Sequence, residues 1–226
     1  MYFLDIFDTT NTQKILNDSN PDVVVWCIMS GERELEISDE GLRHLLSLLK
    51  SSVRFIYIST SVSNKEWQDE DTPPEPRDES MYLANYVNGK ILGEQLVQTH
   101  NNYVIIRPGQ IYGFGALGEP DERMQRIQRA INKDGELIRS ANAYISIVHI
   151  DDLVSCIVEL IDNDFVGILC VASERAISYY SFYAYLAKQI GIDEDKIKPE
   201  YESGMPSSYF NTSKANSVLR TKPRIL

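Results

Sequence analysis

Arg54-Phe55-Ile56-Tyr57-Ile58-Ser59-Thr60, followed after a loop by Asn85-Tyr86-Val87-Asn88-Gly89-Lys90, decides the reading of this chain. The first stretch is a short apolar run ending in hydroxyls, the pattern of a strand buried on both faces of a parallel sheet. The second stretch places a tyrosine and a lysine four residues apart, on one face of a helix. An ammonium so placed favours the phenolate and lowers the tyrosine pKa. A hydroxyl at the end of a neighbouring strand can hold a substrate oxygen beside that phenol. These are the parts for moving a proton on or off a sugar or alcohol oxygen.

Working outward, the chain alternates between two periodicities. Residues 23–28, 54–58, 103–106 and 167–172 are apolar, β-branched runs of strand length. Between them, residues 39–50 carry Leu42, Leu45, Leu46 and Leu49 on one stripe, and residues 81–98 pair Val87 with Ile91 and Leu92 with Leu96. Residues 152–161 and 178–190 repeat the helical pattern. Strand alternating with helix predicts an α/β doubly wound sheet. There is no internal repeat. Residues 66–80 are acidic and contain Pro73, Pro74 and Pro76, which predicts a surface loop whose charge serves solvation or shapes a substrate mouth.

Composition narrows the function classes. A length of 226 residues suits one domain, or one domain and a small lobe. A net charge of -11 argues against a nucleic-acid backbone as partner. It leaves room for a phosphorylated small ligand in a locally different pocket. Runs such as Val23-Val24-Val25-Trp26-Cys27-Ile28-Met29 are too short to span a bilayer, so no membrane partner is expected. The start, Met1-Tyr2-Phe3-Leu4-Asp5, lacks a basic region and a long apolar segment, so the expected location is the cytoplasm. Cys27, Cys156 and Cys170 have no metal-like spacing and read as reduced, buried hydrophobes.

Six segments in order resemble the extended short-chain dehydrogenase/reductase family, the nucleotide-sugar epimerases, dehydratases and 4-keto-sugar reductases. Asp5-Ile6-Phe7-Asp8 is similar to the family's third strand, and Pro21-Asp22-Val23-Val24-Val25 to its fourth. Ile58-Ser59-Thr60 matches the strand end bearing the catalytic Ser or Thr. Tyr86-Val87-Asn88-Gly89-Lys90 with Glu94 matches the Tyr-x-x-x-Lys helix. Arg107-Pro108-Gly109-Gln110-Ile111-Tyr112-Gly113 and Val148-His149-Ile150-Asp151-Asp152-Leu153 match two later segments. Ile197-Lys198-Pro199 and Asn211-Thr212-Ser213-Lys214 are similar to the tail of 4-keto-sugar reductases.

The resemblance implies a Rossmann-type sheet. Residues 1–113 would be a partial dinucleotide-binding domain. Residues 114–226 would be a substrate lobe interleaved with the last dinucleotide-domain elements over 147–172. It implies Tyr86 as general acid/base, Lys90 as its electrostatic partner, and Thr60 as donor to the substrate oxygen, with Ser59 and Ser61 as substitutes. NAD or NADP would supply the hydride. Asp5, Tyr86, Lys90 and Pro108 would contact that cofactor, and Ser61 and Gln110 a sugar or nucleotide-sugar substrate. A homodimer is open. Glu94 and Arg107 read as structural partners, His149 as a hydrogen-bonded core residue, and Asp151 and Asp152 as cap and first-turn carboxylates.

The sequence departs from the family at three places. The chain begins at what resembles strand 3, so the glycine-rich turn that brings backbone against a pyrophosphate is absent. Removing two strand–helix units, roughly 60 residues at ~30 or more each, would leave the family's fourth strand as an apolar edge. Residues 113–118 are glycine-rich but follow a late strand. Ile145 stands where relatives that act on sugar nucleotides often carry Arg, and Ile28 and Met29 replace small residues lining the cofactor cleft. Two functions follow from different classes. One is an NAD(P)-dependent sugar enzyme whose cofactor binding is impaired. The other is a non-catalytic remnant acting as a binding or structural protein.

Overall fold

The computed structural model describes residues 4–201 and 204–226. In chain order it runs α1 (Thr9–Ser19), β1 (Val23–Trp26), α2 (Glu34–Glu36), α3 (Arg43–Leu48), β2 (Arg54–Ile58), β3 (Trp67–Gln68), α4 (Ala84–Val97), β4 (Tyr103–Pro108) and β5 (Gln110–Tyr112). It continues through α5 (Glu122–Asp134), β6 (Leu137–Ser140), β7 (Tyr144–Ile145), β8 (Ile147–His149), α6 (Ile150–Ile161) and β9 (Gly167–Val171). It closes with β10 (Ile177–Ser178), α7 (Tyr179–Gln189), β11 (Ile197–Glu200), β12 (Tyr209–Phe210) and α8 (Ser213–Val218). A π-helical turn, Ile37–Leu42, joins α2 to α3. The main sheet has the order β1-β2-β4-β9, parallel from β1 through β4. This is the predicted α/β class.

The chain divides into two compact units. The first comprises Met1–Asn64, Glu70–Arg107 and Ile157–Leu169. Its β2 is buried on both faces, so Phe55 and Tyr57 point one way and Ile56 the other into packed surroundings. Phe55, Tyr57, Trp26, Leu42, Leu45, Val97 and Ile105 form its main core. A smaller cluster, Val62, Val87 and Ile91 with Tyr86 against it, sits over the far end of β2. At the near end, the buried Arg54 guanidinium donates to Asn102 Oδ1 at 2.8 Å and to the Phe165 carbonyl at 3.0 Å, so its charge is solvated by the protein.

The second unit comprises Lys65–Asp69, Pro108–Cys156 and Cys170–Leu226. Short pairs, β5 with β8 and β6 with β11 in parallel, and β7 with β10 in antiparallel, hold α5 and α7. Tyr112, Met124, Ile127, Ile145, Ile147, Phe182 and Leu186 make its core. Asp121 caps α5 by accepting from the Met124 amide, and Gly135 ends it at φ 79°, a left-handed turn that favours glycine.

Three expectations need correction. Asp5-Ile6-Phe7-Asp8 is a turn, not a strand. The Asp8 amide donates to the Asp5 carbonyl, Asp5 Oδ1 accepts from the Phe7 amide at 3.0 Å, and Asp8 caps α1 through Asn11. Aspartate side chains compete with strand pairing for nearby amides. Residues 1–3 lie outside the described residues. The helix expected over 39–50 is the π turn followed by α3. Cys27 is exposed, unlike Cys156 and Cys170, because it follows β1, the terminal strand of the sheet order among the described residues.

Candidate functional site

Strand β2 ends at Ile58 and delivers two hydroxyls with different fates. Ser59 Oγ donates to Glu94 Oε1 at 2.6 Å. Glu94 also receives a two-pronged bond from Arg107, Nε to Oε1 at 3.0 Å and Nη2 to Oε2 at 2.7 Å. Both partners are buried, at 1% and 4% side-chain exposure. The remaining guanidinium nitrogen, Nη1, reaches the carbonyls of Thr72 and Glu70 and ties down the acidic loop. Glu94 and Arg107 are therefore structural partners, as expected, and Ser59 is spent on them. Thr60, the next residue, instead lies within hydrogen-bonding reach of the Tyr86 phenol.

Tyr86 and Lys90 share one face of α4. Leu83, just before this helix, sits at φ 59°, a left-handed conformation costing a leucine about 1–2 kcal/mol. That strained residue sets the entry of the helix three residues before the phenol. Asn88 accepts from the Arg77 amide and donates to the Arg77 carbonyl, both at 2.8 Å, a second clamp on the loop. Burial pushes the Tyr86 pKa up. The Thr60 hydroxyl opposes that, the Glu34 carboxylate adds to it, and the net direction is upward from the ordinary value.

Lys90 differs from expectation. Its Nζ stands 5.9 Å from the Tyr86 ring centre and 5.2 Å from that of Tyr57. It donates to the carbonyls of Ile28 and Ile58 at 3.1 Å each, and lies 2.9 Å from Glu34 Oε1. The Lys90 and Glu34 side chains are 3% and 0% exposed. The ammonium is thus surrounded by two carbonyls and a buried carboxylate, and its pull on the phenol is offset. Glu34 was not legible in advance. Its short helical turn follows a loop, and its neighbours Glu32 and Glu36 disguise it as surface charge.

The other expected residues lie as follows. Asp5 is exposed in the turn before α1, and Pro108 ends β4. Ser61 Oγ donates to the Ser63 carbonyl at 3.4 Å. In the second unit Gln110 Nε2 donates to the Tyr179 hydroxyl at 3.3 Å. His149 packs edge-on to Tyr112 and accepts from the Asp151 amide. Asp151 and Asp152 occupy the first turn of α6, and Asp152 also grips Arg224, Oδ1 to Nη2 at 2.7 Å and Oδ2 to Nε at 2.8 Å. No group of three metal-ligating side chains occurs among the described residues. No helix is long and apolar enough to cross a membrane.

Residues 113–118 are not a phosphate cradle. The Gly113 amide is taken by Asp121 Oδ2, and the Leu117 amide by Glu119 Oε2, whose carboxylate also lies against Gly115. An anion would meet two carboxylates there. The surroundings of Tyr86 suit a different ligand feature: a phenol and a hydroxyl at the end of a buried strand fit an alcohol or carbonyl oxygen.

Similarity to known proteins extends over the fold. No curated protein matches the chain. Among solved structures, the dTDP-4-dehydrorhamnose reductase of Bacillus anthracis in complex with NADP is similar at 20% identity, covering 97% of this chain and 82% of that one, with a TM-score of 0.74. The dTDP-glucose 4,6-dehydratase of the same organism, in complex with NAD, is similar at 14% identity over 98% and 74% of the two chains, TM-score 0.75. Bordetella bronchiseptica WbmG, in complex with NAD and UDP, is similar at 12% identity over 99% and 73%, TM-score 0.77. The model of the NAD dependent epimerase/dehydratase family matches residues 1–168, so the chain belongs to that family.

Proposed function

We propose that this chain is an NAD(P)-dependent enzyme acting on a sugar, most simply a nucleotide sugar, and that it works in the direction of carbonyl reduction. The observation that carries the direction is the buried Tyr86 phenol beside Thr60. Tyr86 is protonated at neutral pH, as a phenol must be to give up a proton. NAD(P)H, when bound, supplies the hydride. Thr60 holds the substrate carbonyl oxygen, and Tyr86 gives its proton to the alkoxide that forms there. Lys90 is a fixed charge beside the phenol, and reaches a ribose hydroxyl only by exchanging one of its present partners. Asp5 and Pro108 as cofactor contacts, and Ser61 and Gln110 as sugar contacts, belong to the same proposal. So does a substrate-binding role for the second unit. The family and the sugar-nucleotide enzymes among its structural neighbours support the reading.

A fluorescence titration with NADH and NADPH tests it. Micromolar binding, followed by cofactor oxidation with dTDP- or UDP-linked 4-keto sugars, is the expected result. A folded protein that binds neither nucleotide overturns the enzyme reading. It then favours a non-catalytic binding or structural protein.

A further inference from the structure

We propose that Glu34 is a positioning residue that fixes the Lys90 ammonium and cancels its charge, so that Tyr86 remains a proton donor instead of becoming a phenolate. This rests on the reading of Tyr86 as the proton donor given above, and adds a residue and a mode of control to it.

The geometry is built for the pair. Glu34 lies on α2, which packs on α4 at Gly89. A Cβ on Gly89 would fall 2.5–2.7 Å from the Glu34 carbonyl carbon, its oxygen and the Leu35 nitrogen. Only glycine at that position lets the α2 backbone approach closely enough to bring the carboxylate to Lys90 Nζ. The carboxylate is oriented from its other side, where Oε2 accepts from the Ser30 amide at 2.8 Å. Lys90 is oriented by the Ile28 and Ile58 carbonyls, one following β1 and one ending β2. The pair is thus set from three elements, and neither charge touches water.

Burying two charges costs several kcal/mol per ion, repaid only when they pair well. A lone lysine at this place would draw the phenol toward phenolate. A lysine matched by a carboxylate presents almost no net charge to it. The other titratable groups facing the site are Tyr57 from β2, Cys27 just after β1, and Glu94 on α4 itself. Burial pushes the Tyr57 phenol upward, and the partial desolvation of the Cys27 thiol outweighs the opposing Lys90 charge to raise it although the residue is exposed, so both are neutral at physiological pH. Glu94 is already matched by Arg107. That leaves Glu34 as the group that decides what charge Tyr86 experiences.

The test is a titration of Tyr86 by the carbon NMR signal of its labelled ring, assigned with Tyr86→Phe, which needs no turnover. In Glu34→Gln the unmatched ammonium should make Tyr86 titrate about 1–2 pH units lower than in the unmodified chain. The double variant Glu34→Gln/Lys90→Met removes both charges and is the one best placed to fold, since replacing a whole buried pair is often neutral. Its Tyr86 should titrate close to that of the unmodified chain. Gly89→Ala, which drives α2 off α4, should shift Tyr86 in the same direction as Glu34→Gln. Two results overturn the proposal: an unmoved Tyr86 in folded Glu34→Gln, or a Tyr86 in the double variant that titrates a full unit higher. The first would mean that the Glu34 charge does not govern the phenol, the second that Lys90 acts on it without regard to Glu34. Neither bears on whether the protein turns over a sugar, which the cofactor titration decides separately.

Discussion

The first unit threads its core with charge, whereas the second keeps charge outside. Glu34 and Lys90, and Glu94 and Arg107, are at most 4% exposed in the first. In the second, Tyr112 stands edge-on to Phe182 and Tyr185 at 5.3 and 6.1 Å, an aromatic packing with the Arg123 guanidinium over the Phe182 ring. Its ion pairs lie nearer solvent: Arg126 with Glu122 is exposed on both sides, and Arg224 with Asp152 is partly exposed. Apolar groups of the same volume usually hold a core at least as well as buried ion pairs. The second unit follows that rule. The first departs from it at both ends of β2, with Arg54 at one end and, at the other, the two ion pairs near Thr60 and Tyr86. The contrast says which unit is organised for packing and which carries polar groups placed for chemistry.

Breaking one half of a buried pair should give the largest effect. Arg107→Met strands Glu94 and Ser59 and frees the loop at Thr72, and should cost about 3–5 kcal/mol in urea unfolding. Replacing Glu94 together with Arg107 should restore most of that. If the single and double variants lose equally, the pair is not what holds this region. In the second unit, Phe182→Ala should cost a similar ~3–5 kcal/mol through the cavity it leaves, with no partner substitution able to rescue it. Rescue is thus what separates the two cores.

Arg224→Ala should have a smaller effect, about 0.5–1 kcal/mol, because Arg224 is partly exposed and the pair is screened. Burial pushes the Asp152 carboxyl up, but its bonds from Arg224 outweigh that and hold it below its ordinary value. The folded pKa is depressed, so this stability is present above the unfolded carboxylate pKa and disappears as pH falls through the folded one. The difference between Arg224→Ala and the unmodified chain should therefore be seen at neutral pH and vanish in acid. Smallest of all, Glu122→Gln should leave the unfolding midpoint where it is, since both its arginine partners are in solvent.

How much of this was legible in the sequence differs between the units in the same way. The run at 54–58 is apolar on both faces, and Tyr86 with Lys90 keeps helical spacing, so β2 and α4 could be read directly. Glu94 as a structural partner and Arg107 as an internal donor that fixes a loop were each legible, from their places one turn after Lys90 and just before Pro108, but their pairing with each other was not. The family pattern prefers Thr60 to Ser59, but the physical reason, that Ser59 is bonded to Glu94, was not legible. Glu34 was invisible for a related reason: a buried carboxylate in an acidic surface segment looks like its neighbours until the partner from a distant helix is known. The family resemblance alone places Asp5 in a strand, and the resemblance does not register the tendency of Asp5 and Asp8 to bind nearby amides in a turn. In the second unit α5 was missed altogether, since its long polar stretch hides the few buried positions, Met124 and Ile127.

The central claim is that Tyr86 gives the proton to the sugar oxygen, and a single-turnover rate tests it most directly. Tyr86→Phe keeps the ring that packs on Val87 and Ile91 and removes only the hydroxyl. With a saturating reduced nicotinamide nucleotide and a 4-keto sugar nucleotide, the rate of cofactor oxidation should fall about 10²–10⁴-fold while nucleotide binding is unchanged. A rate equal to that of the unmodified chain would contradict the account.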